Sequence, residues 1–149
     1  MRHLEDLAAG ERFVTQTAVV TEAEIITFAR QFDPQPMHVD PERAVAGPLG
    51  AIAASGWHTI SVVMRLIVEA DPLDGAPWLG LGVDEVRWPN PVRPGDSIQA
   101  ELEIVSITPS RSKPTHGVVR IKITARNQKG EVVVTMFPNL WVARRPSGD

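Results

Sequence analysis

Residues 55–70, SGWHTISVVMRLIVEA, overlap the most apolar stretch of the chain, Ala51 to Val68, and decide how the rest is read. Ser55 suits a helix N-cap and Gly56 follows it. From there apolar residues cover most of a helical circumference, and only His58, Ser61, Arg65 and Glu69 form a polar stripe. Ser55, His58, Ser61 and Arg65 break the apolar run and argue against a membrane span, so the stretch is expected to be a buried helix of about 16 residues, roughly 24 Å long. A helix apolar around most of its surface must be wrapped by other structure.

The wrapping is legible downstream. Trp78 to Trp88 reads as a glycine-containing strand, broken off by Pro89, Pro91 and Pro94. Arg93-Pro94-Gly95-Asp96 has the composition of a turn. Ser97 to Ser106 alternates, with Ile98, Ala100, Leu102 and Ile104 on one face and Gln99, Glu101 and Glu103 on the other. Val118 to Arg126 repeats the pattern with Val119, Ile121, Ile123 and Ala125 inward. A hairpin at Gln128-Lys129-Gly130-Glu131 leads to a last strand, Val132 to Val142.

Upstream, Glu11 to Val20 reads as a first strand. Thr21-Glu22-Ala23-Glu24 is a capping box opening a helix to about Gln31, which Pro34 ends. Asp40-Pro41 is a second helix start, with Asp40 as the cap. The order is therefore strand, helix, loop, long helix, then about four antiparallel strands. The expected fold is α+β: a curled antiparallel β-sheet wrapped around one long central helix, in a single domain over residues 1–149.

Between the first two helical patterns lies Phe32-Asp33-Pro34-Gln35-Pro36-Met37-His38-Val39-Asp40-Pro41, read as a proline-stiffened loop carrying two acid/base side chains. Fully extended, Asp33 and His38 would stand up to roughly 17 Å apart. Pro34 and Pro36 push their predecessors away from helical geometry, which allows the loop to curl and the two to converge. On spacing alone the pair is ordinary: Asp33 can cap a turn, and His38 can be a hydrogen-bonded core histidine. Among the other histidines, His3 reads as a solvated terminal residue, His58 as structural, and His116 as the neighbour of a hairpin.

Composition narrows the function classes. The chain has 149 residues, 43% hydrophobic and 22% charged, with no cysteine, which excludes disulfides and thiol chemistry. Its net charge of -3 argues against nucleic-acid binding as the main task. The N-terminal Met1-Arg2-His3-Leu4-Glu5-Asp6 lacks a signal-peptide core, so a cytoplasmic location is expected. No histidine pair has metal-ligand spacing, and neither a metal nor another cofactor is expected.

The loop from Phe32 to Asp40, followed by Ile52-Ala53-Ala54-Ser55-Gly56-Trp57-His58-Thr59, resembles the MaoC-like, (R)-specific enoyl-CoA hydratase family. That family's loop runs Asp-x-Asn-Pro-hydrophobic-His-x-Asp and precedes a glycine at the start of the central helix. Pro91-Val92-Arg93-Pro94-Gly95-Asp96 is similar to its turn into the next strand. The resemblance implies the hot-dog fold and a catalytic pair, Asp33 and His38, that activates one water. It implies reversible addition of that water to a trans-2-enoyl thioester, giving a 3-hydroxyacyl thioester. It also implies a homodimer at least, and an acyl-CoA or other acyl-thioester substrate. The Gly56 N–H, at a helix N-terminus, is the candidate oxyanion donor, and close packing of the helix against the sheet is a compatible reason for the same glycine. Ser55, Trp57, Arg87 and Arg93 are substrate-binding candidates, with Arg111 and Lys113 as further basic residues for CoA phosphates. Trp57, Trp78 and Trp88 either shape a pocket or belong to the core. Two positions depart from the family pattern: Gln35 stands where Asn is usual, and Ser55 where His is often found. A hot-dog thioesterase and a non-catalytic acyl-thioester-binding subunit are the alternatives.

Overall fold

Capping chemistry starts the helices where the sequence places them. In the computed structural model, which describes residues 1–148, helix α1 (Glu22–Phe32) begins at Thr21, whose hydroxyl accepts from the Glu24 N–H at 3.2 Å. The Glu24 carboxylate returns to the Thr21 hydroxyl at 2.9 Å rather than to its N–H, so half of the expected capping box forms. The segment expected to be an irregular loop contains a one-turn helix, α2 (Pro36–Val39). Pro36 sits at its first position, where the missing N–H costs nothing, and the Asp40 N–H closes the turn on the Pro36 carbonyl at 3.0 Å. Asp40 then caps α3 (Pro41–Val45), accepting from the Glu42 and Arg43 N–H groups.

Helix α4 (Gly56–Ala70) opens at Ser55, whose Oγ accepts from the Trp57 N–H at 3.3 Å, and closes at Asp71 in the left-handed region. It buries His58, Thr59, Val62, Val63, Leu66 and Ile67. Each fully buried aliphatic side chain here contributes about 1.5–3 kcal/mol. One expectation is corrected: Trp57, Met64 and Val68, read as part of a wrapped helix, are exposed at 59%, 44% and 48%, while His58 of the polar stripe is buried. The cause is one-sided packing: α4 rests on α1 and on strands β1 (Arg12–Val19), β3 (Ser97–Pro109) and β5 (Val132–Ala143), and the opposite side of the helix lies uncovered.

The sheet has five strands in the order β1-β3-β4-β5-β2, with every neighbouring pair antiparallel. They are β1 (Arg12–Val19), β2 (Leu79–Arg87), β3 (Ser97–Pro109), β4 (His116–Arg126) and β5 (Val132–Ala143). The alternation read for β3 and β4 holds: all eight inward residues are buried, with Leu102 opposite Ile123 and Ile104 opposite Ile121. Register breaks interrupt β1 between Val14 and Thr17 and β3 between Ile104 and Ser106. Such breaks bend a strand and increase its twist, which curls the sheet toward α4. At the first break the buried Thr15 hydroxyl accepts from the Ala100 N–H at 3.0 Å and replaces the lost ladder bond. Strand β2 pairs only with β5 and leaves Leu79, Leu81 and Val83 half exposed on alternate residues. His3 is partly buried rather than solvated: its ring Nδ1 lies 3.7 Å from Asp6 Oδ2, and its N–H donates to the same oxygen across the short 3-10 helix Leu4–Asp6.

Candidate active site

Asp33 is the residue that ends α1, its N–H donating to the Ala29 carbonyl at 2.8 Å. Helix α2 then reverses the chain at once. His38, 4% exposed, is carried back until its Nε2 stands 3.4 Å from Asp33 Oδ2. The compact turn does what a flat loop could not.

The tautomer of His38 follows from its other nitrogen. Nδ1 lies 2.7 Å from the Ala53 carbonyl oxygen. A carbonyl only accepts, so Nδ1 carries the proton, and in the neutral form of the ring the lone pair on Nε2 is the one presented to Asp33. The Ala53 segment is itself held: its N–H donates to the Met37 carbonyl at 3.1 Å, and the Ala54 N–H to the Val92 carbonyl at 2.9 Å. Arg93 completes the support by donating to the carbonyls of Leu49, Ala51 and Ile52 at 2.6, 2.8 and 3.2 Å.

Both oxygens of Asp33 have donors. Oδ1 accepts from Gln35 Nε2 and Oδ2 from Ser55 Oγ, each at 2.7 Å. Partial burial pushes the carboxyl up, but the Gln35 and Ser55 hydrogen bonds and the nearby His38 outweigh it and hold Asp33 below the usual carboxylate range. An ionised carboxylate and an imidazole lone pair, two acceptors at 3.4 Å, form a pair of anchors for one molecule with two O–H donors.

The pair opens into a cavity of about 370 Å³ whose lining includes Asp33, His38, Gly56, Trp57, Trp88 and Val133. Gly56 is the first residue of α4, so its N–H belongs to the set without an intrahelical acceptor. The close-packing reason for this glycine is also present. A Cβ there would stand 2.5 Å from Trp88 Cε2, and Trp88 Nε1 donates to the Gly56 carbonyl at 3.0 Å. Trp57 meets Trp88 edge to face, with centroids 5.4 Å apart. A cavity of similar size, about 400 Å³, lies over β3, β4 and the hairpin after β4, but it is lined by neither Asp33 nor His38.

The other candidates divide. Trp57 and Trp88 line the cavity, whereas Trp78 lines a small apolar gap beside Leu7 and Phe13. Ser55 is wholly buried and faces Asp33 instead of the cavity. Arg93 is occupied by three carbonyls, and Arg87, Arg111 and Lys113 lie outside the lining. Sequence reasoning missed the Ala53 carbonyl, which as backbone leaves no residue signature, and the approach of Trp88 to Gly56. It noted Gln35 as a departure without finding the bond to Asp33.

The chain is similar to known proteins over most of its length. Residues 6–127 match the family model of the MaoC like domain. The chain is 30% identical over 126 residues to the uncharacterized protein YdeM of Bacillus subtilis, covering 85% of this chain and 88% of that one. It is 35% identical over 103 residues to 3-hydroxyacyl-thioester dehydratase Z of Mycobacterium tuberculosis, covering 67% and 68%. Among solved structures, the MaoC-like dehydratase from Rhodospirillum rubrum superposes with a TM-score of 0.90 at 43% identity, over 97% of this chain and 99% of that one. The R-hydratase PhaJ1 from Pseudomonas aeruginosa gives 0.74 at 25% identity, over 96% and 86%. The curled five-stranded sheet and its long helix are thus the hot-dog fold implied by the resemblance. Joined by the family match from residue 6 to residue 127, they identify the chain as a member of the MaoC-like dehydratase domain family.

Proposed function

We propose that the protein is a hydratase/dehydratase that adds water reversibly to a trans-2-enoyl thioester, residues 1–149 working as one unit. The observation that carries the reading is the pairing of His38 Nε2 with Asp33 Oδ2 at 3.4 Å beside the N-terminus of α4. The relatives named as a dehydratase and an R-hydratase support the reaction class.

Each residue has a distinct task. One water donates to Asp33 Oδ2 and to His38 Nε2. As its oxygen bonds to the β-carbon of the enoyl thioester, its proton passes to Nε2, the stronger base of the two, because Asp33 is already stabilised as an anion by Gln35 and Ser55. Electron density moves to the thioester oxygen, where the Gly56 N–H and the positive end of α4 oppose the growing charge. The imidazolium returns its proton to the α-carbon, which leaves a 3-hydroxyacyl thioester and a neutral His38. The Ala53 carbonyl holds the ring in one orientation throughout. Ser55 acts here through Asp33 and not on the substrate.

A homodimer is part of the proposal. The uncovered edge of β2 with Leu79, Leu81 and Val83, and the exposed Trp57, Met64 and Val68 of α4, give a second copy apolar surface to cover. A monomeric mass by light scattering would overturn this part.

Crotonyl-CoA provides the test, followed by loss of its enoyl absorbance, with release of free thiol recorded in parallel. The expected result is hydration without thiol release. Asp33→Asn and His38→Ala are each expected to lower the rate by about 10²–10⁴-fold with unfolding midpoints close to the parent. Full activity in either variant refutes the site. Failure with short, branched and aromatic enoyl-CoAs alike refutes hydration, and thiol release alone points to a thioesterase.

A further inference from the structure

Gln35 stands at the N-cap position of α2, with φ -72 and ψ 146. Side chains at such positions usually turn back to accept from the second or third N–H of the helix, and Asn is among the best at it. Gln35 makes no such bond. Its longer side chain turns the other way, and Nε2 donates to Asp33 Oδ1 at 2.7 Å while its backbone N–H donates to the Asp33 carbonyl at 2.8 Å. An Asn in its place has its amide one methylene closer to the backbone, at the reach that favours capping the Met37 N–H, since the His38 N–H already donates to the Gln35 carbonyl at 2.9 Å.

We infer that Gln35 is a positioning residue, which fixes the plane of the Asp33 carboxylate by holding Oδ1 so that Oδ2 stays directed at Ser55 and His38. A carboxylate gripped at one oxygen can swing about its Cβ–Cγ bond, whereas donors on both oxygens remove that freedom. The two donors come from different elements: Gln35 from the start of α2, and Ser55 from the start of α4. The titratable group facing Asp33 among the described residues is His38 of α2, and α4 presents only the neutral Ser55 hydroxyl. A change at Gln35 is therefore read directly at Asp33. The kinetic half of the inference rests on the hydratase reading, and the spectroscopic half does not.

The test compares wild type, Gln35→Asn and Gln35→Ala. Protein labelled with carbon-13 at the aspartate carboxyls is titrated by NMR, with Asp33→Asn used only to assign the Asp33 signal. Asp33 is expected to titrate at higher pH in both variants, with Asn no better than Ala despite its shared amide. In crotonyl-CoA hydration the acid limb of the rate moves to higher pH in the same way. kcat falls about ten- to a hundred-fold, as expected for one hydrogen bond to a charged group, while KM stays within about two-fold. The melting temperature of Gln35→Asn is not lowered, since it gains a cap. The inference is overturned if Gln35→Asn titrates at Asp33 as wild type does, or if the variants differ from wild type only in melting temperature. Should wild type hydrate no enoyl thioester, the hydratase reading falls while the Asp33 titration still decides the role of Gln35.

Discussion

Replacing Gly56 by alanine tests the junction between helix start, cavity and sheet edge. The new Cβ would meet Trp88 at 2.5 Å from Cε2, 2.6 Å from Nε1 and 2.9 Å from Cδ2. Carbon contacts settle near 3.5–4.0 Å, so the indole must retreat by about 1 Å. That movement disrupts the 3.0 Å bond from Trp88 Nε1 to the Gly56 carbonyl, at a cost of about 0.5–1.5 kcal/mol. Overpacking adds about 1–3 kcal/mol in a closed core. Trp88 is 41% exposed and can swing outward, so the low end applies. The helix propensity of alanine returns up to about 1 kcal/mol in a helix interior, and less at a first position. The net loss is about 1 kcal/mol, a fall of about 3 °C in melting temperature for a chain of this size. Activity falls much further, by about a hundred-fold, because Cβ and the displaced ring both crowd the proposed oxyanion donor. Urea unfolding and the enoyl-absorbance assay measure the two effects. In a Trp88→Ala background the same substitution should change stability by less than about 0.5 kcal/mol. A Gly56→Ala protein that matches wild type in both assays would refute this account, as would a stability cost that persists undiminished without Trp88.

Two more expectations concern polar side chains outside the reacting pair. Arg93→Lys removes a fork that reaches the carbonyls of Leu49, Ala51 and Ile52, and a lysine cannot span all three. A loss of about 1–3 kcal/mol in urea unfolding is expected; unchanged stability with a raised KM for the CoA thioester would instead assign Arg93 to substrate. His58 is 6% exposed, stacks on Phe28 with centroids 4.8 Å apart, and leaves Nδ1 unpaired. Burial pushes its pKa below the usual 6.5, partly opposed by the charge of Glu24. The unfolded chain therefore takes up this proton first as pH falls, and stability declines from about 6.5 toward the lower folded value. His58→Phe should flatten that part of the stability–pH curve, measured by urea unfolding across the interval; an unchanged slope would remove His58 as its cause.

The parts of the fold legible in the sequence are those set by neighbours along the chain. A period of 3.6 marked α4, and a period of two marked β3 and β4 down to the buried residue. Thr21, Asp40 and Ser55 announced helix starts because a short polar side chain beside an apolar run has few other uses. The exposed face of α4 was not legible, since it depends on which side the sheet passes. Helix α2 was missed because four residues behind two prolines carry no period.

The candidate site divides along the same line. The sequence by itself determined which acid/base groups are present, Asp33 and His38, and that a glycine opens the long helix. Only the tertiary structure decided their chemistry, because each partner that sets it comes from a distant segment. His38 meets the Ala53 carbonyl 15 residues on, Asp33 meets Ser55 22 residues on, and Gly56 meets Trp88 32 residues on. Proton position, carboxylate orientation and the necessity of that glycine are properties of approach in space, and local periodicity does not encode them.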